Sequence, residues 1–438
     1  MKRNLKKTGF IVLILLQGFT AKSMAQKWVT YDLKQFDRQT ICESNKTIYN
    51  YGRGDNVKYK ITLYGKSEQK IKNTFCANKP FVFETKLPES HYKIKITFGG
   101  APFETSTTVK VESRRLMLEN VVTKAGKFLT KTVVVDVRTP WINDSNSIRI
   151  KPREKNYLNW DDKLTLEFNG KNPCVSAISI CKVDNIPVIY LAGNSTVTDQ
   201  EYEPWASWGQ MFPAFLKPNV VVANYAESGE TLLAFKRENR LKKILNRMKK
   251  GDYLFMEFAH NDQKPGRNHL DAFTTYKDEL KFYIAEARKK GGIPVLVTST
   301  NRRKFDENGQ IVNTLEGFPE AMRQVAKEEN VALIDLNAMS KNFFEALGPE
   351  KSTKAFVHYP ANSFPNQPEV LADNTHFNPY GAYELAKCVV HSIASQKLFL
   401  AKYVLKEWAN FDPNIPDPVD EFVWYNSPAI DVLKPDGN

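Results

Sequence analysis

The sequence predicts two domains of different class, an all-β sandwich or jelly roll followed by a parallel α/β unit. Three observations predict it. Short runs of period two fill residues 27–184, a strand, loop and helix grammar repeats after Asn185, and the 438-residue length exceeds what one hydrophobic core usually serves. With 42% hydrophobic and 25% charged residues, the composition is that of a folded protein rather than a disordered or membrane-embedded one.

The first segment reads as a targeting signal. Lys2, Arg3, Lys6 and Lys7 form a positive n-region, residues 9–16 an apolar run, and Ser23-Met24-Ala25 offers small residues for cleavage before Gln26. The apolar run is too short to span a bilayer, and no cysteine follows the cleavage site to carry lipid. Export to the periplasm or the extracellular space is therefore expected. Removing residues 1–25 takes away five cations and no anion, so the formal charge falls from +13 to +8. A basic exported protein suits an acidic polysaccharide better than nucleic acid. Neither a nucleic-acid partner nor stable membrane insertion is expected. The dense Lys and Arg of residues 236–250, with apolar residues at helical spacing, read as one outer helix face.

Residues 26–184 form the predicted sandwich. Alternating runs such as Val57-Lys58-Tyr59-Lys60-Ile61-Thr62-Leu63 and Tyr92-Lys93-Ile94-Lys95-Ile96-Thr97-Phe98, then residues 108–111, 132–137 and 163–168, are separated by Gly, Pro, Asn and Asp turns, and no long helix is evident. The five cysteines, Cys42, Cys76, Cys174, Cys181 and Cys388, are too few and scattered for a disulfide scaffold, although export permits a bridge. Cys174 and Cys181 lie on one strand at an odd separation and so are poor mutual partners. Cys388 reads as helix core.

From residue 185 to about 400, apolar runs at residues 187–192, 220–224, 252–258, 293–298 and 331–336 read as strands. Helical patterns lie at residues 232–249, 276–290 and 319–329, and another begins near Pro379. The alternation implies a parallel sheet covered by helices on both faces. Residues 401–438, with Pro413, Pro416, Pro418 and Pro435, read as irregular tail packed on the surface. No internal repeat or low-complexity tract is evident.

The chemistry sits in the second domain. The first strand empties into Gly193-Asn194-Ser195-Thr196, which places a serine hydroxyl at a strand's carboxyl end, where ligands bind in open α/β sheets. Asp373-Asn374-Thr375-His376 puts a carboxylate three residues before an imidazole, a spacing that lets one orient the other. Between them, Asn224-Tyr225-Ala226-Glu227-Ser228-Gly229 and Ala259-His260-Asn261-Asp262 follow the next two strands. Ester cleavage needs a nucleophile, a base, a group to hold the base, and donors for the oxyanion. Ser195, His376 and Asp373 are the candidates for the first three. The Ser195 amide, Gly229 and the Asn261 side chain are candidates for the donors.

These four ordered blocks resemble the SGNH (GDSL-like) hydrolases, and within them the rhamnogalacturonan acetylesterases, through Gly193-Asn194-Ser195-Thr196-Val197-Thr198, Asn224 to Thr231, His260-Asn261-Asp262 and Asp373-Asn374-Thr375-His376-Phe377-Asn378. The likeness spans roughly residues 186–395. It implies a flavodoxin-like three-layer α/β/α fold, no metal or cofactor, and removal of acetyl groups from pectic rhamnogalacturonan. Carried over residue by residue, it makes Ser195 the nucleophile, Gly229 and Asn261 oxyanion donors, and Asp373 and His376 the rest of a triad. Asn194 stands where the family usually has Asp, and Ala259 where it usually has Gly. Neither position transfers a proton, so activity is expected to survive. The N-terminal domain more loosely resembles the galactose-binding-like sandwiches that accompany carbohydrate esterases, and either binds sugar or buttresses the catalytic unit.

Taken singly, each of these residues has a plainer reading: Ser195 as a cap, Asp373 as a helix cap, Gly229 as a turn, Asn261 as an Asx-turn residue and His260 as a structural hydrogen-bonding residue. Trp205 and Trp208, at helical spacing beyond the serine, read as core before they read as a sugar-stacking platform. Tyr202, Arg302 and Arg303 follow strand ends and either meet a uronate carboxylate or form surface salt bridges. No histidine pair has the spacing of a helical metal site, and no glycine-rich phosphate cradle or cysteine cluster competes. Three rivals to the pectic reading stand: an acetylesterase for another glycan such as xylan, a non-catalytic glycan-binding protein, and a metal-dependent deacetylase using Asp373 and His376 as ligands.

Overall fold

The computed structural model describes residues 27–33, 38–43, 46–53, 56–64, 68–71 and 74–436. The expected targeting signal lies outside them. Among the described residues, no helix is long and apolar enough to cross a membrane.

The alternating runs of the first domain become two antiparallel sheets. In one, Ser90–Gly99 and Cys174–Val183 lie at the centre between Phe128–Val137 and Thr74–Ala77; in the other, Lys163–Asn169 and Phe81–Lys86 lie between Thr105–Val111 and Asn56–Tyr64. Period two dictates the packing, because successive side chains of a strand leave on opposite faces. Phe81, Phe83 and Thr85 are buried while Val82 and Glu84 are half-buried and Lys86 exposed. Ile94 and Ile96, paired in register with Ile180 and Ile178, meet Ile61, Leu63, Leu164 and Leu166 of the other sheet in one core. Each such aliphatic side chain contributes about 2 kcal/mol by leaving water. Cys76 and Cys174, register partners on neighbouring strands, form a disulfide. Cys181 and Cys388 are buried and free.

Phe128–Val137 breaks the alternation, since Val133 to Val137 are all buried. Both of its faces are covered there. Val133, Val135 and Val137 join the sandwich core, whereas Val134 joins the core of the second domain. Asp136, on the same outer face as Val134, pairs with Arg247 at 2.7 Å and His91 at 2.9 Å. Burial would raise this carboxyl, but the Arg247 charge and the His91 hydrogen bond outweigh it and hold it well below its ordinary value.

The second domain is a five-stranded sheet, all parallel, in the order Val221–Asn224, Val188–Gly193, Tyr253–Glu257, Ile293–Val297, Ala332–Ile334. In chain order that is 2-1-3-4-5, the flavodoxin-like arrangement implied by the family resemblance. Val188–Gly193 divides its side chains between layers: Ile189 and Leu191 face the helices Leu336–Lys351 and Pro379–Ser395, while Tyr190 and Ala192 face Thr275–Lys289 and Phe318–Glu328.

Two elements differ from the sequence reading. The basic run at residues 236–250 is not one outer helix face. It is two helices, Leu232–Arg237 and Arg240–Arg247, separated by Asn239 at φ 64°, and two of its cations, Arg240 and Lys243, are buried while Lys242, Lys249 and Lys250 stay exposed. Arg240 is fully buried against Glu154 at 2.5 Å, and Lys243 reaches Glu89 at 2.7 Å, both carboxylates belonging to the first domain. Helix Leu336–Lys351 was not anticipated. Gly348 and Pro349 interrupt it and obscure its period, but Asp335 caps it by accepting from the Ala338 amide.

Candidate active site

Val188–Gly193 is wholly buried and delivers the chain to the sheet's carboxyl edge. A side chain at Gly193 would lie 2.9 Å from the Glu257 carbonyl and 2.6 Å from Val197, so only glycine lets the loop turn against the neighbouring strand. Asn194 then closes the turn. Its side-chain oxygen accepts from the Thr196 amide at 3.1 Å and the Thr196 hydroxyl at 2.8 Å, and its carbonyl accepts from the Val197 and Thr198 amides at 3.0 Å. Asn supplies this acceptor as well as Asp would. Ser195, one residue on, is left pointing out of the turn.

Asp373 and His376 arrive on Leu371–Phe377, a strand paired with Phe356–Tyr359. On a regular strand, residues three apart face opposite ways. Here the register jumps from Phe356↔Phe377 to His358↔Ala372, and the extra residues curl. One Asp373 oxygen accepts from the Thr375 amide at 2.7 Å and the His376 amide at 3.0 Å. Its other oxygen is free to meet His376 Nδ1 at 2.8 Å.

His376 Nε2 lies 2.9 Å from Ser195 Oγ. A carboxylate can only accept, so the ring proton sits on Nδ1 and Nε2 is the acceptor facing the serine. All three side chains are nearly removed from solvent, with Ser195 3%, Asp373 5% and His376 1% exposed. Burial would raise the Asp373 carboxyl, but the hydrogen bond from His376, with the two amides, holds it well below its ordinary value. It therefore stays ionised. Trp205 packs edge-on against the His376 ring at 5.7 Å, and the Ala206 amide donates to the Phe377 carbonyl at 2.9 Å.

Gly229 and Asn261 sit in the loops after Val221–Asn224 and Tyr253–Glu257, the two strands that flank the serine's strand. Gly229 has φ +79°, a left-handed conformation that suits glycine. The Asn261 side-chain amide donates one hydrogen to the Glu230 carbonyl at 3.1 Å, which ties the two loops together. His260 is buried. Burial, then the nearby Arg302 and His376, holds its imidazole well below its ordinary value, so it is neutral. Ala259 is buried in the core.

Trp205 and Trp208 are 3% and 0% exposed, so the core reading holds and neither offers a face to sugar. Among the described residues, Arg302 and Arg303 do not form the surface salt bridges weighed above. Arg302 donates to the Thr314 and His260 carbonyls, and Arg303 to the Pro349 carbonyl and the Ser352 hydroxyl. Tyr202 is half-buried beside Tyr157. Among the described residues, no group of three or more His, Cys, Asp or Glu side chains is arranged to hold a metal ion.

Several groups at the site carry no sequence motif. Glu257 lies beneath the serine's turn, accepting from the Trp208 indole, with the Thr196 hydroxyl 2.7 Å from its other oxygen. Burial raises it to about 7. The first domain also reaches in. At the tip of a hairpin, Glu112 (φ 52°) and Arg114 (φ 59°) take left-handed conformations. Arg114 donates to the Gln200 and Trp205 carbonyls, and Arg115 donates twice to Asp199, at 3.0 and 2.6 Å. Asp199 in turn holds Asn224 at 2.9 Å. Lys151 and Arg153 grip the Gly229 loop through the Ser228 carbonyl, both at 2.7 Å. The only sequence signal for these contacts is charge concentrated in short connections.

The family match and the two rhamnogalacturonan acetylesterases below agree in extent with the second domain, whereas the match to YxiM extends beyond it. Residues 191–382 match the GDSL-like lipase/acylhydrolase family. The rhamnogalacturonan acetylesterase RhgT of Bacillus subtilis is 42% identical over 219 residues, covering 50% of this chain and 94% of that protein. The probable rhamnogalacturonan acetylesterase YesY of the same organism is 40% identical over 223 residues, covering 50% of this chain and 98% of that protein. The uncharacterized esterase YxiM, also from Bacillus subtilis, is 26% identical over 325 residues, covering 72% of this chain and 74% of that protein.

Proposed function

We propose, for a chain that belongs to the GDSL-like lipase/acylhydrolase family and is a serine-dependent carboxylic ester hydrolase, that it is a carbohydrate acetylesterase that deacetylates pectic rhamnogalacturonan. The observation that carries the mechanism is the unbroken run of contacts from Ser195 through His376 to Asp373, at 2.9 and 2.8 Å. What supports the substrate is the names of two relatives, a rhamnogalacturonan acetylesterase at 42% identity and a probable one at 40%.

In the acylation step, Ser195 Oγ bonds to the acetyl carbonyl carbon as His376 Nε2 takes its proton. Asp373 stabilises the imidazolium that forms. The carbonyl oxygen becomes an oxyanion held by the Ser195 and Gly229 amides and the Asn261 side-chain amide. On collapse, the bond to the sugar oxygen breaks and His376 returns the proton to it, leaving acetyl-Ser195 and a free hydroxyl on the glycan. Water, deprotonated by the same imidazole, attacks the acetyl-enzyme, and acetate leaves as Ser195 regains its proton.

The galactose-binding-like likeness of the sandwich remains part of this reading, and the buttressing role is the one we favour. What supports it is the Arg114, Arg115, Lys151 and Arg153 contacts to the catalytic loops. Export, through the basic and apolar N-terminal stretch, suits an enzyme whose polymeric substrate stays outside the cell.

The test is Ser195→Ala. Acetate release from acetylated rhamnogalacturonan is expected to fall to background while the far-UV circular dichroism spectrum is unchanged. Wild-type turnover in that variant would remove the mechanism.

A further inference from the structure

Three cations surround the catalytic groups without a part in the hydrolysis. Lys264 Nζ donates to the Asn261 side-chain oxygen at 3.0 Å, and Arg302 donates to the His260 carbonyl at 3.3 Å, so both lie against the loop that carries Asn261. Lys434, near the far end of the tail, approaches Asp373 at 3.4 Å, on the same oxygen that holds His376. The tail is pinned on either side of it. The Trp205 indole donates to the Asp431 carbonyl at 3.0 Å, and Asp436 pairs with Arg153 of the first domain beside Gly229.

These charges lack adequate counterions. Among the described residues, no carboxylate acts on Lys264 or Arg302: burial alone lowers Arg302, and burial followed by Arg302 and Lys434 brings Lys264 down to about 8. Among the described residues, Lys434 pairs only with Asp373, already committed to His376, and its side chain is 49% exposed. Cations that repel one another and lose water without gaining an anion are stable together only at some cost, and a bound carboxylate would relieve it.

We propose that Lys264, Arg302 and Lys434 form a subsite that binds a carboxylate of the glycan, seating a uronate unit next to the sugar whose acetyl group meets Ser195. Arg302, whose Nη1 and Nη2 already donate to the Thr314 and His260 carbonyls, adds positive charge to the subsite, as do the two ammonium groups. The irregular tail thereby becomes part of the substrate site, which the hydrolase domain alone does not complete. This subsite rests on the carbohydrate reading above and specifies its substrate as an acidic glycan.

The test uses the full-length protein and two probes, acetylated rhamnogalacturonan oligosaccharides, which carry uronates, and acetylated xylo-oligosaccharides lacking them. The quantity read is the ratio of kcat/KM for the acidic probe to that for the neutral one. Lys434→Gln is expected to lower the ratio about tenfold, through KM, the equivalent of one modest ionic contact. Lys434→Arg should keep it. Adding Lys264→Gln should lower it further, and about 0.5 M salt should bring the wild-type ratio toward that of the variant. If the ratio survives Lys434→Gln and the double variant, or if Gln and Arg lower it equally, the subsite is refuted while the acetylesterase reading stands. A wild type that cleaves only the neutral probe overturns the pectic reading and the subsite together.

Discussion

Glu257→Gln should remove about 2.5 kcal/mol of the protein's pH-dependent loss of stability. Glu257 is buried under the Ser195 turn, with the Trp208 indole donating to one oxygen and the Thr196 hydroxyl 2.7 Å from the other. Thr196 has a single proton, and its hydroxyl also lies 2.8 Å from the Asn194 oxygen. Both contacts are hydrogen bonds only when Glu257 carries a proton and donates it to Thr196. Burial, opposed by the hydrogen bond from the Trp208 indole, raises the carboxyl from 4.5 to about 7 in the fold. Because the folded value is the higher one, the stability contribution is complete below 4.5 and is lost as pH climbs to about 7, where the native state must also ionise. Between pH 5 and pH 8 this amounts to about 2.5 kcal/mol at 1.36 kcal/mol per unit. Glutamine copies the protonated acid, since its N–H donates to Thr196 and its carbonyl accepts from Trp208. Denaturant unfolding of both proteins near pH 5 and near pH 8 measures the difference. The wild type should lose about 2.5 kcal/mol more than the variant across that interval. Equal losses would show that Glu257 is already ionised at pH 5, and the reasoning would fail.

The remaining predictions concern the triad and the junction between domains. In Asp373→Asn, the new carbonyl takes the Thr375 and His376 amides, which leaves an N–H facing Nδ1. The ring must then carry its proton on Nε2, toward Ser195, and kcat for a simple acetyl ester should fall about ten-thousand-fold; a loss under tenfold would mean that Asp373 does not set the tautomer. Arg115→Leu strands the buried Asp199 carboxylate, so unfolding in denaturant should show a loss of about 3–5 kcal/mol. A loss under about 1 kcal/mol would show that water or another group replaces the guanidinium.

Much of the site can be read from sequence because its turns are built locally. Gly193-Asn194-Ser195-Thr196 makes its own Asx turn, and Asp373 reaches the two amides that follow it, so short spacing already contains the geometry. The strands of the second domain are equally legible, since five apolar runs bounded by turn residues leave little else to be. Residues 236–250 were misread for a physical reason. A cationic helix face normally seeks water, and burial of Arg240 and Lys243 is made tolerable in large part by Glu154 and Glu89, which are distant in the chain. The same holds for Glu257, which looks like any strand-end acid until Trp208 and Thr196 close over it. The helix after Asp335 was missed because the glycine and proline near its end masked a period that Leu336, Phe343 and Phe344 do carry.

By itself, the sequence determined the class of each domain, the order of the four blocks and the identity of the groups that can attack, accept a proton and orient. These depend on periodicity and on contacts between neighbours in the chain. Only the tertiary structure decided that Ser195 and His376, 181 residues apart, stand at 2.9 Å, that a hairpin of the first domain clamps the catalytic loops, and that the tail brings Lys434 to Asp373. Those outcomes depend on partners that lie 181, 91 and 61 residues apart in the chain, and no local pattern encodes a partner at such a distance.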